Sequence, residues 1–142
     1  MGRMKVASIH RVRVGRRKAL PFAQSAIRAG FPSPAEDYAD KPLDLTAHLI
    51  QNRTSTFLFK VAGDSMEGCG IFDGDLLVVD RALSWRDGSI VVAVVDGGHT
   101  VKRIRQRGAR VWLEAANKKY PDITVASDDI VWGVVKHGIH TF

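Results

Sequence analysis

The chain has 142 residues, of which 45% are hydrophobic and 25% charged, and it contains one cysteine, Cys69. These values favour one globular domain with a short appendage, and a single thiol excludes a disulfide within the chain. No apolar run reaches the roughly 18 residues that a membrane-spanning helix needs, so we expect a cytoplasmic protein without a membrane anchor.

The net charge of +6 is unevenly distributed along the chain. Of the 21 Lys and Arg residues, residues 1–29 contain eight, with no acid, and residues 30–142 contain the other 13 together with all 15 acids. A leader of +8 therefore precedes a body of −2. Such a leader is expected to be a flexible arm, which is either simply solvated or in contact with a polyanion such as a nucleic acid.

The first half of the sequence contains little regular pattern. Residues 1–29 alternate bases with Val, Ile and Ala, which fits a short strand or a mobile arm. Two prolines make residues 31–34 a stiff, extended link. Residues 43–52 predict one or two turns of helix.

From residue 56 onward the pattern is that of β-structure. Seven short apolar segments are separated by Gly and Asp: Thr56–Val61, Asp75–Asp80, Ser89–Val95, His99–Arg105, Val111–Glu114, Ile123–Ala126 and Ile130–Lys136. Asp96-Gly97 between two of them is a hairpin signal. The pattern predicts a mostly β, largely antiparallel domain, curled into a partly open barrel.

Ser65 lies in Gly63-Asp64-Ser65-Met66, where the chain leaves a predicted strand. A serine at such an exit can present its hydroxyl to a cleft, with the backbone N–H groups of Asp64 and Ser65 facing a developing oxyanion. The alternative is an ordinary turn, since Gly, Asp and Ser are all common turn residues.

Lys102 is expected on the covered face of its strand. Thr100, Lys102 and Ile104 share one face, whereas Val101 and the arginines at 103 and 105 share the other, which we expect to be exposed. Desolvation lowers the pKa of a lysine, and a neutral amine can take a proton from a serine hydroxyl. The alternative is a lysine that extends its ammonium into water.

A third feature is the bond between Ala29 and Gly30. Both residues are small and leave room around the carbonyl, so the segment can lie extended in a narrow groove. Ile27, two residues before Ala29, can fill an apolar pocket as a contact of the substrate arm.

Together these features resemble the LexA/UmuD family of serine–lysine self-cleaving peptidases, and most closely its UmuD branch. The resemblance covers nearly all of the body, and the intervals agree: 36 positions from Ala29 to Ser65 and 37 from Ser65 to Lys102. The matching segments are residues 29–38, 43–45, 63–66, 71–80, 87–91 and 100–102. The leader does not match and is unusually basic, and Ala29 is the LexA-like choice where UmuD proteins often have cysteine.

The resemblance implies a LexA/UmuD-like fold in which Ser65 is the nucleophile and Lys102 the general base. It implies that residues 1–29 are removed by self-cleavage between Ala29 and Gly30, with residues 30–142 as the peptidase domain. It further implies promotion by a RecA filament on single-stranded DNA in the SOS response. The processed homodimer would join a UmuC-type polymerase for translesion synthesis, without a cofactor.

Three other functional classes are alternatives to this interpretation. A LexA-like transcriptional regulator requires a helix-turn-helix before the cut, and the leader shows no two-helix pattern. A relative of signal peptidase requires a membrane anchor. A third possibility is a non-catalytic binding module whose basic arm contacts nucleic acid.

The remaining reactive residues give weaker signals. Cys69 is a rival nucleophile but is more simply explained as a packed thiol. His137 and His140 have no third ligand close in sequence, so no metal site is expected. The three tryptophans at 85, 112 and 132 are expected in core or dimer contacts rather than as a platform for stacked bases.

Overall fold

The computed structural model describes residues 4–13, 15, 19–20 and 42–142. Two compact units are present: the first combines residues 4–12 with 52–142, and the second lies within residues 13–51. The predicted cleavage site, Ala29-Gly30, and the predicted arm contact, Ile27, lie outside the described residues.

The first unit is built almost entirely from β-strands. Their bounds are β1 Lys5–Arg11, β4 Thr56–Ala62, β5 Leu76–Asp80, β6 Ile90–Val95, β7 Gly98–Arg107, β8 Arg110–Glu114, β9 Ile123–Val125 and β10 Val131–Ile139. Two short 3₁₀ helices, Glu67–Cys69 and Asp128–Ile130, connect strands. The second unit contains the two-residue strands β2 Ala19–Leu20 and β3 Leu43–Asp44, followed by the helix α1 Leu45–Leu49.

The eight strands of the first unit form one antiparallel sheet in the order β1-β4-β5-β10-β6-β7-β8-β9. An additional pairing of Lys5 with Thr100 joins β1 to β7, so six of the strands close into a ring. The prediction of a mostly antiparallel, curled β domain of LexA/UmuD type is confirmed. The leader supplies one strand of this ring, because β1 lies within residues 1–29.

The hairpin predicted at Asp96-Gly97 joins β6 to β7. Val95 pairs with Gly98, so the loop is two residues long. Asp96 and Gly97 have φ angles of 51° and 77°. Positive φ at both positions matches the turn that best fits the twist of the flanking strands.

Two apolar clusters stabilise the sheet. The first contains Met4, Phe59, Val61, Met66, Ile71, Leu77, Val79, Val92 and Val101. The second contains Val91, Ala93, Ile104, Leu113 and Val134. Val101 lies in the first cluster and is 0% exposed, so the expectation of an exposed face is wrong at this position. Further along the same face, the Arg105 side chain is 40% exposed.

Helix α1 begins at a well-formed cap. The Asp44 carboxylate accepts a hydrogen bond from the Ala47 N–H at 3.0 Å, which satisfies one of the exposed donors of the first turn. The helix that residues 43–52 predict is thus present over five residues. Among the described residues, no helix is long and apolar enough to cross a membrane.

Candidate active site

Ser65 lies in a tight turn between β4 and the 3₁₀ helix Glu67–Cys69. Gly63 has a φ of 108°, which a residue with a side chain adopts only with strain, and it turns the chain out of the strand. Ser65 and the following Met66 are both 0% exposed, and Met66 packs in the first apolar cluster. Both residues are therefore shielded from bulk water.

Lys102 lies in the middle of β7, opposite Val91 of β6. Thr100 and Ile104, its neighbours on the same face, are 4% and 0% exposed, and Lys102 itself is 1% exposed. The predicted covered face is therefore confirmed for these three residues. A lysine buried this deeply cannot extend its amine into bulk water, so the snorkelling alternative is excluded.

Met4 links the Ser65 turn to β7. Its backbone N–H donates to the Ser65 Oγ at 2.9 Å, and its carbonyl accepts from the Thr100 Oγ1 at 3.0 Å. Thr100 precedes Lys102 by two positions, on the same face of the strand. One residue of the leader thus contacts both elements of the predicted site, and its side chain is 0% exposed.

Tyr120 forms a second link between the two elements. Its hydroxyl donates to the carboxylate of Asp64, the residue before Ser65, at 2.6 Å. The Lys102 Nζ lies 5.5 Å from the centre of the Tyr120 ring, a distance at which an aromatic face attracts a cation. The loop after β8 therefore contacts both the residue beside the predicted nucleophile and the predicted base.

The hydrogen bond from Tyr120 shifts the titration of both partners. It lowers the pKa of the Asp64 carboxyl, with a further contribution from Lys119, whose Nζ donates to the same carboxylate at 3.1 Å. It raises the pKa of the Tyr120 hydroxyl, because the bond stabilises the protonated phenol beside a carboxylate. The stable pairing at neutral pH is therefore an ionised Asp64 with a protonated Tyr120.

The backbone after β8 also supports the Ser65 turn. The Asn117 Nδ2 donates to the Asp64 carbonyl at 3.3 Å, and the Gly68 N–H donates to the Ala116 carbonyl at 3.1 Å. A Cβ atom at position 68 would lie 2.3 Å from that carbonyl oxygen, so only glycine permits this approach. Residues 116–120 thus hold the turn at several points.

The structure brings Ser65 and Lys102 into one buried region through Met4 and Tyr120. Their roles as nucleophile and general base stay predictions, as does the oxyanion hole at the backbone of Asp64 and Ser65. Sequence reasoning did not identify Met4, Asn117 or Tyr120. No local pattern marks them, because their partners lie between 53 and 96 positions away.

The weaker candidates have other partners. The Cys69 Sγ accepts a hydrogen bond from the Arg103 Nη2 at 2.9 Å and packs against the first cluster. His140 Nδ1 pairs with the buried Asp75. Trp132 packs its ring against Phe57 and Phe59, as expected of a core tryptophan.

Comparison with known proteins adds an independent finding. The Peptidase S24-like family matches residues 21–136. Protein MucA of Salmonella typhimurium is 40% identical over 139 residues, which cover 96% of this chain and 94% of MucA. Protein ImpA of Shigella flexneri is 43% identical over 121 residues, covering 84% of this chain and 83% of ImpA. The LexA repressor of Shewanella loihica is 34% identical over 119 residues, covering 79% of this chain and 58% of that repressor.

Proposed function

Because the chain belongs to the Peptidase S24-like family, we propose that it is a self-cleaving serine peptidase in which Ser65 attacks the bond between Ala29 and Gly30. The observation that supports this most directly is the burial of Lys102, which is 1% exposed, in the same region as the fully buried Ser65. A buried hydroxyl and a buried amine are the two groups that serine–lysine hydrolysis requires.

The burial of Lys102 determines what its amine can do. Removing an ammonium from water disfavours the charged form, so burial favours a neutral amine. A neutral amine accepts a proton from a serine hydroxyl, whereas an ordinary lysine is almost fully protonated at pH 7. The Tyr120 ring 5.5 Å from Nζ then stabilises the ammonium that forms during the reaction.

The proposed reaction proceeds in two steps, through an ester between Ser65 and Ala29. Lys102 accepts the Ser65 proton as Oγ bonds to the Ala29 carbonyl carbon, and the bond from that carbon to the Gly30 nitrogen then breaks. The Gly30 nitrogen leaves as an amine with the proton from Lys102. Water attacks the resulting ester and returns a proton to Oγ through Lys102, which yields an Ala29 carboxylate. Because the scissile bond is part of the same chain, orientation can contribute about 7–11 kcal/mol to lowering the barrier.

Met4 must leave its place before the reaction begins. Its N–H donates a hydrogen bond to the Ser65 Oγ, and its carbonyl accepts one from the Thr100 Oγ1. The scissile segment therefore replaces Met4 in the cleavage-competent state. On this proposal, the contact between Met4 and Ser65 belongs to a resting state in which the nucleophile is covered.

The wider role that we propose follows from the resemblance to the UmuD branch. After cutting, the protein acts as a homodimer with a UmuC-type translesion polymerase in the cytoplasm, and a RecA filament on single-stranded DNA promotes the cut. MucA and ImpA are 40% and 43% identical to this chain in alignments that cover more than four fifths of it, which supports placing it with such proteins.

Mass spectrometry after mild alkaline incubation tests the proposal. At about pH 9.5 more of the amine is neutral, so a fragment ending at Ala29 should accumulate faster than at pH 7. Ser65→Ala and Lys102→Ala should each stop the cut. Lys60→Ala is the matched control, since Lys60 is exposed on β4 and should leave the rate unchanged. Cutting at the normal rate in both site variants would overturn the assignment.

A further inference from the structure

We propose that cutting at Ala29-Gly30 does not release the leader: residues 4–11 stay in the sheet as a non-covalent strand and cover Ser65 in the product. This inference rests on the proposed function for the position of the cut. The contacts of residues 4–11, which comprise Met4 and β1 and which we call the leader strand, otherwise support it.

The leader strand is a structural part of the body. It pairs with β4 in an antiparallel register that extends from Lys5 opposite Ala62 to Arg11 opposite Phe57. It also pairs with β7 where Lys5 lies opposite Thr100. Hydrolysis of a peptide bond some 18 residues beyond Arg11 breaks none of these contacts.

Met4 anchors the start of the leader strand. Its side chain is 0% exposed and packs in the first cluster, together with Phe59, Val61 and Leu77. Its backbone makes the two hydrogen bonds to Ser65 and Thr100 described above. Dissociation would expose this apolar side chain and break both bonds.

Loss of the leader strand would also open the ring. β4 would lose the strand along one of its edges, and β7 would lose its bridge at Thr100 while keeping β6 and β8 as neighbours. An exposed strand edge such as that of β4 favours pairing with another chain. The opposite net charges of the two fragments, +8 and −2, further favour their association. Residues 4–11 already fit the position between β4 and β7, so we expect them to remain there after the cut.

The retained strand has a consequence for the reaction. The Met4 N–H returns to the Ser65 Oγ once the new chain end at Ala29 has left it. Ser65 is then covered, so the cut protein does not act on further chains. Self-cleavage would be a single event followed by closure of its own site.

The test makes the cut independently of Ser65. A recognition sequence for a site-specific protease is inserted between Ala29 and Gly30 of the full chain, which is cut while folded and passed through a gel-filtration column. Native mass spectrometry of the main peak should show both fragments in one complex. Elution of the leader as a separate peptide would overturn the proposal, whether or not the chain also cuts itself.

Two variants of the same full chain identify the anchor. Met4→Asp places a charge in a dry pocket and should weaken leader retention by about 100-fold or more. Ile9→Asp is the matched control, with the same change of charge on the same strand at a side chain that is 40% exposed. Equal retention of both variants would show that Met4 does not hold the strand.

A second readout follows the chain before any cut. If Met4 covers the nucleophile, Met4→Asp should increase the rate of self-cleavage, because the scissile segment meets less competition for Ser65. An unchanged rate in a variant whose circular dichroism matches that of the natural chain would contradict the covering role.

Discussion

The Asp64 carboxylate is bound by two donors of unequal exposure. Tyr120 donates at 2.6 Å from a half-buried position, whereas Lys119 donates at 3.1 Å from a side chain that is 69% exposed. Exposed ion pairs contribute little, because water screens them and a long side chain loses freedom in holding them. The tyrosine is therefore the donor that fixes Asp64, and with it the turn that contains Ser65.

Replacing Tyr120 by phenylalanine tests this assignment. The ring beside Lys102 remains, but the hydrogen bond to Asp64 is lost, and the Ser65 turn gains freedom. Self-cleavage should slow by roughly 10-fold, since small displacements of a reacting group are costly. Lys119→Ala is the control and should change the rate by less than about 3-fold. Equal rates for the two variants would show that the phenol does not position the turn.

Asp64 and Tyr120 both change protonation outside the pH range in which we expect Lys102 to lose its proton. The pKa of Asp64 is lowered, so its share of stability is present above its ordinary value of 3.8 and is lost as the pH falls through the folded value. The pKa of Tyr120 is raised from 10.0, so its share is lost only as the pH rises beyond that. An increase in cutting between about pH 7 and 9.5 therefore reports another group, for which Lys102 is the buried candidate.

At the scale of the elements, Asp80 closes the end of β5. Its carboxylate accepts hydrogen bonds from the Ser55 Oγ and the Asn52 Nδ2, both at 2.7 Å, and from the Ala82 N–H at 2.8 Å. Burial acts to raise the pKa of this carboxyl, but these three donors outweigh it and hold the pKa below 3.8. The ionised form thus connects the turn before β4 to the end of β5.

Asp80→Asn should lower the free energy of unfolding by about 1–3 kcal/mol, because an amide replaces one acceptor with a donor among groups that all donate. Urea unfolding at pH 7 measures this, with Asp122→Asn as the control at an exposed carboxylate. Since the folded pKa is lowered, the natural chain should lose stability as the pH falls below about 4, and the variant should lose less. If the variant lost as much unfolding free energy below about pH 4 as the natural chain does, the role of Asp80 would be contradicted.

Most strands were predictable because their periodicity is local. The strand predicted at Thr56–Val61 is present as β4, Thr56–Ala62, and Asp96-Gly97 forms the expected two-residue loop. The pattern of residues 1–29 fits a strand or a mobile arm equally, because the partners of the leader strand in β4 and β7 are 46 or more positions away. The burial of Val101 has a related cause: alternation predicts one covered face, whereas β7 contributes Val101 to the first apolar cluster and Ile104 to the second.

The same limit applies to the site. Ser65 and Lys102 were identifiable from a turn motif, a strand register and a family resemblance. Met4 and Tyr120 were not, because a methionine in a basic leader and a tyrosine in a loop acquire their contacts only through the fold. What determines access to Ser65 is therefore tertiary pairing of the leader rather than any pattern beside the serine.

At the scale of the whole molecule, retention of the leader decides the charge of the cut protein. A body that lost residues 1–29 would change from +6 to −2, whereas a complex that keeps them stays basic. A basic surface attracts polyanions in a salt-dependent way. We therefore expect the leader bases to bind single-stranded DNA at low salt both before and after the cut.

Neutralising part of the leader tests this expectation. A full chain with Arg16→Gln, Arg17→Gln and Lys18→Gln should bind single-stranded DNA more weakly. The slope of log affinity against log salt should become shallower by about 2, at roughly 0.7 for each lost phosphate contact. Fluorescence anisotropy of a labelled oligonucleotide over a range of salt concentrations measures both quantities.

A second variant with the same net charge provides the control. Arg86→Gln, Arg107→Gln and Lys118→Gln remove three exposed bases from the body. If binding depended only on net charge, both triple variants would lose the same slope, and a specific role for the leader would be wrong. If the leader bases contact the phosphates directly, only the first variant changes the slope, because distant charges are screened within about 10 Å at 0.1 M salt.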